Sequence, residues 1–304
     1  MAAGGAEMPA QADVDRMVRL AMFHEEPSLA AAAAALALYL AVTLAVTAVT
    51  VRTRAWFMLT VSLTGALEAL GFVMRILLLT RTPTLMLFIQ MEAFLVIPPV
   101  LLAIVEYICT GRLLAALATR HSAWVARLFT ASDLLCLALQ GAGGALCAAP
   151  ATAQTGTRLL LVGLSLQLGF FTAFTAITVG VHRRSFARDA AARPLFACLY
   201  ATISLLYVRN IFRVVEFGMG YHGYLKTHEA FFYAFDFAPL FTCFLFFTFM
   251  HYGTLLPAAL APRLPLVDAS PRAARGKGAK PGGGGALAVP QAAAELVVVR
   301  CGDA

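Results

Sequence analysis

The stretch SLAAAAAALALYLAVTLAVTAVTV, residues 28–51, contains no charged side chain and ends against Arg52 and Arg54. A bilayer hydrocarbon core about 30 Å thick is crossed by roughly 20 helical residues, so this run is long enough to span one. Working outward from it, six more apolar stretches follow: about Trp56 to Leu79, Leu85 to Thr110, Trp124 to Cys147, Thr157 to Val181, Pro194 to Phe217 and Ala230 to Leu256. None shows the short, two-residue alternation of barrel strands. The fold expected is an all-α integral membrane protein, a bundle of seven transmembrane helices.

The composition agrees. Of 304 residues 61% are hydrophobic and 13% charged, with a mean hydropathy of +0.80. A soluble domain is roughly half apolar and about a quarter charged, and it has to cover its surface with polar groups. The net charge of +7 comes from grouped Lys and Arg, with no polar basic face to hold phosphates, so nucleic acid is not an expected partner. Arg52 and Arg54 follow the first stretch, Arg112 and Arg120 the third, and Arg183, Arg184, Arg188 and Arg193 the fifth. The tail adds Arg263, Arg272, Arg275, Lys277 and Lys280, whereas the second loop offers Arg81 and the fourth, from Ala148 to Gly156, offers none. By the positive-inside rule the N-terminus lies outside and the C-terminus in the cytosol.

Three segments result. Residues 1–27 form an extracellular head, residues 28–257 the seven-helix domain, and residues 258–304 a basic cytosolic tail. The tail, with its run Gly282 to Gly285, lacks the apolar content to fold and is expected to be disordered, its basic half attracted to anionic lipid. The head contains Asp13, Asp15, Glu25 and Glu26 and no basic segment before a short apolar core, so no cleaved signal peptide is expected. The six cysteines fall mostly inside apolar runs and suggest no disulfide framework. No Walker A sequence is present, so no ATP motor is expected, nor any other cofactor. The oligomeric state is not legible.

Charged and amide residues interrupt the apolar stretches, at a cost of about 2.5–3.5 kcal/mol for a charge at the bilayer centre. The second stretch carries Glu68 and Arg75, the third Glu92, Pro98, Pro99 and Glu106, the fourth Asp133 and Gln140, and the fifth Gln167. Arg209, Arg213 and Glu216 share one face of the sixth, and Glu229, Tyr233 and Asp236 one face of the seventh, with His228 just before it. Such stripes face the bundle interior and must pair or line a wet cavity. The expectation is a polar chamber near the outer leaflet, with Arg209 or Arg213 bound to Glu92 or Asp236. The prolines Pro98, Pro99 and Pro239 are candidates for kinks in their helices, although most transmembrane prolines are merely tolerated. Gly218, Gly220 and Gly223, with Tyr221, His222 and Tyr224, form a tight interfacial loop.

The block RNIFRVVEFGMGYHGY, residues 209–224, followed by His228-Glu229 and Tyr233-Ala-Phe-Asp236, resembles the signature of the fungal RTA-like, or lipid-translocating exporter, family. Gly71 to Arg75, Pro98-Pro99 with Tyr107 and Gly111-Arg112, Asp133 with Gln140 to Gly144, and Gly163 to Gln167 agree in order. The likeness covers about residues 30 to 255 and is most specific in the sixth-to-seventh block. It implies a multi-pass protein of the plasma membrane or an internal membrane, associated with resistance to toxic amphiphiles and with transbilayer release of sphingoid long-chain bases.

The leading function is therefore transbilayer movement or export of amphiphilic lipids, sphingoid-base-like or sterol-like. Glu68, Glu92, Asp133 and Asp236 would receive an ammonium head, and Arg75, Arg209 and Arg213 would balance them. Gln140, Gln167, Glu216, His228, Glu229 and Tyr233 complete the candidate binding set. A seven-helix lipid-stress receptor or sensor without transport is the alternative. An intramembrane lipid hydrolase is a remote one, because it needs clustered metal ligands. The histidines His24, His121, His182, His222, His228 and His251 lie mostly in loops or helix ends with no His-x-x-x-His spacing. No catalytic residue and no metal is expected.

Overall fold

Each apolar stretch folds as a helix because, in lipid, a backbone must satisfy its own hydrogen bonds. The structure, a computed structural model, describes residues 11–23, 25–117, 122–149, 151–220 and 223–261. Among them, seven helices are long and apolar enough to cross a membrane, and no strand occurs. A short helix α1 (Gln11–Phe23) precedes α2 (Leu29–Thr53), and a 3₁₀ turn, Trp56–Met58, leads into α3 (Leu59–Thr80). Then come α4 (Leu85–Ala116), α5 (Ser122–Cys147), α6 (Ala153–Val181, prolonged by a π-helical turn His182–Phe186) and α7 (Arg193–Gly218). The seventh span is composite: α8 (Glu229–Phe232), a π turn Tyr233–Phe237 and α9 (Ala238–Phe249), after which α10 (Tyr252–Leu260) stands apart.

Consecutive helices from α2 to α7 pack side by side, and α9 lies against both α2 and α7, closing the ring. α2 presents Ala32, Ala35, Tyr39, Val42, Val46 and Thr50, a stripe at three- and four-residue spacing, to its neighbours and leaves Leu38, Leu40 and Leu44 outside. Tyr39 sits amid Phe72, Phe237, Phe241 and Phe244, with ring centroids 5.2–6.0 Å apart, three of the four edge-on. Lipid tails are as apolar as leucine, so tight packing and not water exclusion draws the helices together. Glycines provide it where α5 meets α6. A Cβ on Gly143 would lie 2.8 Å from the Gly156 carbonyl oxygen, and one on Gly156 2.6 Å from that of Gly143.

Several expectations about the helices need correction. The seventh span stops at Phe249 and does not reach Leu256: Met250 leaves helical geometry and His251 caps a separate helix that runs on to Leu260. α4 continues to Ala116, beyond Thr110, and its helix is unbroken through Pro98 and Pro99. Pro239 stands directly behind the π turn, where its missing N–H leaves the Phe235 carbonyl without its usual donor. The head contains the helix α1. Most of the tail lies outside the described residues, as do Tyr221 and His222 of the interfacial loop.

The break after Phe249 is held by one histidine. His251 Nδ1 accepts from the Gly253 N–H at 3.0 Å, so the ring proton is on Nε2, which donates to Thr50 Oγ1 at 3.0 Å. Thr50 passes its own proton to the Val46 carbonyl at 2.8 Å, tying the end of α2 to the start of α10. Burial holds the His251 imidazole below its ordinary value. An unfolded histidine takes up a proton near about pH 6.5, whereas the folded one stays neutral to lower pH. The contribution to stability is therefore complete above that value and fades as pH falls further. Unfolding midpoints measured in detergent should drop through this acid range, and His251→Asn, which retains an N-cap acceptor, should reduce the slope.

Overpacking the α5–α6 contact offers a second check. Gly156→Val should cost about 1–3 kcal/mol in unfolding measurements. Gly144→Ala, whose Cβ would meet nothing within 4 Å, should stay within about 0.5 kcal/mol of the parent protein.

Candidate functional site

At the end of the bundle marked by Ser28, charged side chains from α3, α4, α7 and the seventh span converge. Arg209, Arg213 and Glu216 recur every three to four residues and so fall on one face of α7, all buried. Opposite them the wide π turn carries Asp236, also buried. Arg213 grips it with two parallel bonds, Nε to Oδ1 at 2.9 Å and Nη2 to Oδ2 at 2.6 Å. Arg209 Nε lies 2.9 Å from the same Oδ1. Its Nη2 donates to the Leu95 carbonyl of α4 at 2.8 Å. In a regular helix that carbonyl would accept from residue 99, but Pro99 has no N–H. The proline thus frees an acceptor in the middle of the membrane, and Arg209 fills it.

The remaining donors of Arg213 face two further acids. Nη1 donates to Glu216 Oε2 at 3.3 Å and lies 3.7 Å from Glu92 Oε2. The Glu92 side chain is 30% exposed against 3% for Arg213, which makes it the most exposed of the ion-paired carboxylates of the group. Glu68 is buried on α3 within electrostatic reach of Arg209, Arg213 and Asp236.

A second ion pair closes the end of the chamber. Arg75 Nη2 donates to Glu229 Oε1 at 2.5 Å, and the guanidinium stands 5.0 Å from the Phe23 ring and 4.8 Å from that of Phe232, in cation–π geometry. Glu229 also ties down the residues after α1: its Oε2 accepts from the Ser28 N–H at 2.9 Å, and its own N–H donates to Glu25 Oε2 at 2.9 Å. Between the two ion-pair groups lies a cavity of about 60 Å³, lined by Phe23, Arg75, Glu92, Arg213, Glu216 and Glu229 among others. It has room for a few waters and not for an acyl chain.

The expected pairing of Arg209 and Arg213 with Asp236 is present, and Glu92 joins through Arg213. The Tyr233 ring lies beside Arg75, 5.8 Å from centroid to guanidinium carbon, and His228 lines the cavity with Nδ1 donating to the Tyr224 carbonyl at 3.0 Å. Three candidate residues are not brought there. Asp133 accepts from Tyr107 Oη at 2.6 Å between α4 and α5, and Gln140 Nε2 donates to Gln167 Oε1 at 2.7 Å between α5 and α6. These are interhelical ties, of the kind that holds polar groups in lipid. Sequence reading missed Phe23, Glu25 and Lys226, which also line the cavity, because only the return of the N-terminal segment onto the seventh span brings the first two there. Chemically, Arg75, Arg209 and Arg213 are set against Glu68, Glu92, Glu216, Glu229 and Asp236, so carboxyls outnumber guanidiniums. Among the described residues no group of three or more His, Cys, Asp or Glu side chains is arranged to hold a metal.

The model of the RTA1-like protein family matches residues 61–259, and the chain belongs to that family. Protoporphyrin uptake protein 1 of Saccharomyces cerevisiae is 32% identical over 186 residues, 57% of this chain and 61% of the relative. Protein RTA1 of the same yeast is 30% identical over 209 residues, 62% of this chain and 66% of the relative. The lipid-translocating exporter-like protein RTA1 of Leptosphaeria maculans is 27% identical over 203 residues, covering 59% of this chain and 39% of its own. The chain thus spans less than two thirds of the length of these curated relatives. No solved structure matches it.

The unequal commitment of the acids gives a quantitative expectation. Asp236→Ala strands two buried guanidiniums and should cost about 3–5 kcal/mol, the usual loss when one partner of a buried pair is removed. Glu92→Gln, at a long and partly exposed contact, should cost less than about 1 kcal/mol. Unfolding of both variants in detergent measures the difference.

Proposed function

We propose that this member of the RTA1-like family moves amphiphilic lipids with a cationic head, such as sphingoid long-chain bases, from one leaflet of the membrane to the other, and so protects the cell from toxic amphiphiles. The observation that carries the reading is Glu92: a half-free carboxylate on the wall of a chamber where acids outnumber bases. An ammonium head entering there gains a counter-charge that Arg213 holds only loosely, while its hydrocarbon tail stays in the bilayer. The firm pairs, Arg213–Asp236 and Arg75–Glu229, keep the walls apart and in register. The printed name of the Leptosphaeria relative supports a lipid as cargo, and that of the first yeast relative supports movement of an amphiphile more broadly.

Grouping of Lys and Arg supports an outward-facing chamber, with Ser28 outside and the basic tail in the cytosol against anionic lipid. On this reading the protein resides in the plasma membrane and is a transporter, not an enzyme. In the arrangement described, α1 roofs a cavity too small for cargo, so loading requires Phe23 and Glu25 to lift away from Arg75 and Glu229.

Reconstitution provides the test. Protein in vesicles should move a fluorescent long-chain base between leaflets faster than protein-free vesicles do, and Glu92→Gln should slow it about tenfold, equivalent to roughly 1.4 kcal/mol. Equal rates in vesicles with and without protein would overturn the proposal.

A further inference from the structure

A second polar centre lies well inside the bundle, apart from the chamber. Glu106 is on α4, fourteen residues beyond Glu92, or about 21 Å along the axis at 1.5 Å per residue. Its side chain is fully buried. Oε1 accepts from Thr202 Oγ1 of α7 at 2.6 Å, and Oε2 accepts from Tyr252 Oη of α10 at 2.8 Å. The titratable groups facing it are Cys109 on its own helix, Cys198 on α7, Cys243 on α9 and Tyr252 on α10, with Tyr107 next in sequence. All are neutral when protonated. Arg112, farther along α4, is turned onto the Phe57 ring at 4.1 Å. Among the described residues no Lys, Arg or His makes an ion pair with Glu106, in contrast to Glu92, Glu216, Glu229 and Asp236 of the chamber.

A dry carboxylate without a cation is costly, and a proton is the smallest group that relieves it. The hydrogen bonds around Glu106 suit both forms. As a carboxylate it takes one proton each from Thr202 and Tyr252. As an acid it can donate from Oε1 to Thr202 Oγ1, because Thr202 has other acceptors for its own proton, the Cys198 carbonyl at 3.0 Å and the Leu199 carbonyl at 3.1 Å. Tyr252 continues to donate to Oε2. Neither form leaves a donor or acceptor of the trio stranded, so a proton can come and go without the cost of an unsatisfied buried group.

We propose that Glu106, with Thr202 and Tyr252, is a proton-binding site, loaded in the arrangement described and emptied when the helices part enough for a cation to reach the carboxylate. Thr202 shares α7 with Arg209, one face and two turns away, so a shift of α7 that opens the chamber also disturbs the proton site. If the chain moves cationic amphiphiles, and this step rests on that reading, the exchange balances. One ammonium head binds the Glu106 carboxylate as one proton leaves for the aqueous phase, so the site's charge is unchanged and a proton gradient supplies the driving force.

Infrared difference spectra of the full chain in lipid vesicles, titrated from acid to alkaline pH, test the site without any transport. The parent protein should show a carboxylic acid C=O band that disappears as pH rises, and Glu106→Gln should lack that band. Gln keeps a donor for Thr202 and an acceptor for Tyr252, so it should fold, and Glu106→Asp should move the band without abolishing it. Identical carboxyl bands in the parent protein and Glu106→Gln, or a Glu106 band unaffected by pH, would overturn the proposal. In vesicles containing a pH-sensitive dye, the parent should release about one proton for each long-chain base moved, and Glu106→Gln, which has no carboxylate for the ammonium head, should lose the movement and the proton release together. Proton-free movement by the parent would overturn the coupling. Absence of movement with an intact, titrating band would overturn the transport reading alone.

Discussion

Asp236 held by two arginines is the interaction on which the rest of the bundle depends. In hydrocarbon no water can replace a lost partner, so each guanidinium of α7 must find its acceptors within the protein. Asp236 supplies them for both Arg213 and Arg209 because the π turn at Tyr233–Phe237 brings its carboxylate to face α7. Arg209 needs one more acceptor, and the carbonyl of Leu95, released by Pro99, meets that need. α4, α7 and the seventh span are thereby fixed at one level. The chamber walls follow from that fixing, since Glu92 and Glu216 lie where Arg213 has donors left over.

The two polar levels differ in kind. Near the Ser28 end, acids and bases alternate and the N-terminal segment covers them, pinned through Glu25, Ser28 and Phe23. Farther along α4, Glu106 accepts from the hydroxyls of Thr202 and Tyr252 and, among the described residues, from no cation. At the first level carboxyls outnumber guanidiniums; at the second a single carboxyl stands among neutral groups. The aromatic packing around Tyr39, Phe72 and Phe237 fills the bundle between α2, α3 and the seventh span.

Much of the architecture was legible because lipid imposes a simple rule: a long uncharged run such as residues 28–51 must be a helix. Pairing of Arg213 with Asp236 was legible too, since buried charges in lipid have to meet. What periodicity could not convey was the π turn, where one extra residue shifts the face of everything before it. Nor could it convey the break at Met250, which depends on His251 capping Gly253 and reaching across to Thr50. Asp133, Gln140 and Gln167 look like chamber residues in sequence, yet the neighbouring helix decides their partners, and close glycine contacts between α5 and α6 direct the two glutamines toward each other. Pro99 was visible as a proline; its effect, a carbonyl freed for Arg209, needed the neighbour's position. Glu25 and Phe23 escaped notice because sequence distance hides their return onto Glu229 and Arg75.

If the proposed function holds, a cationic amphiphile docks its head among these acids and not elsewhere on the lipid-facing surface. A long-chain base carrying a photoreactive group beside its amine, activated with the protein in vesicles and followed by peptide mapping, addresses it directly. Labels are expected at the start of α4, near Phe88 and Glu92, and on the Leu225–Phe232 segment. Labels confined to the apolar groove of α6, from Leu161 to Phe170, would contradict it.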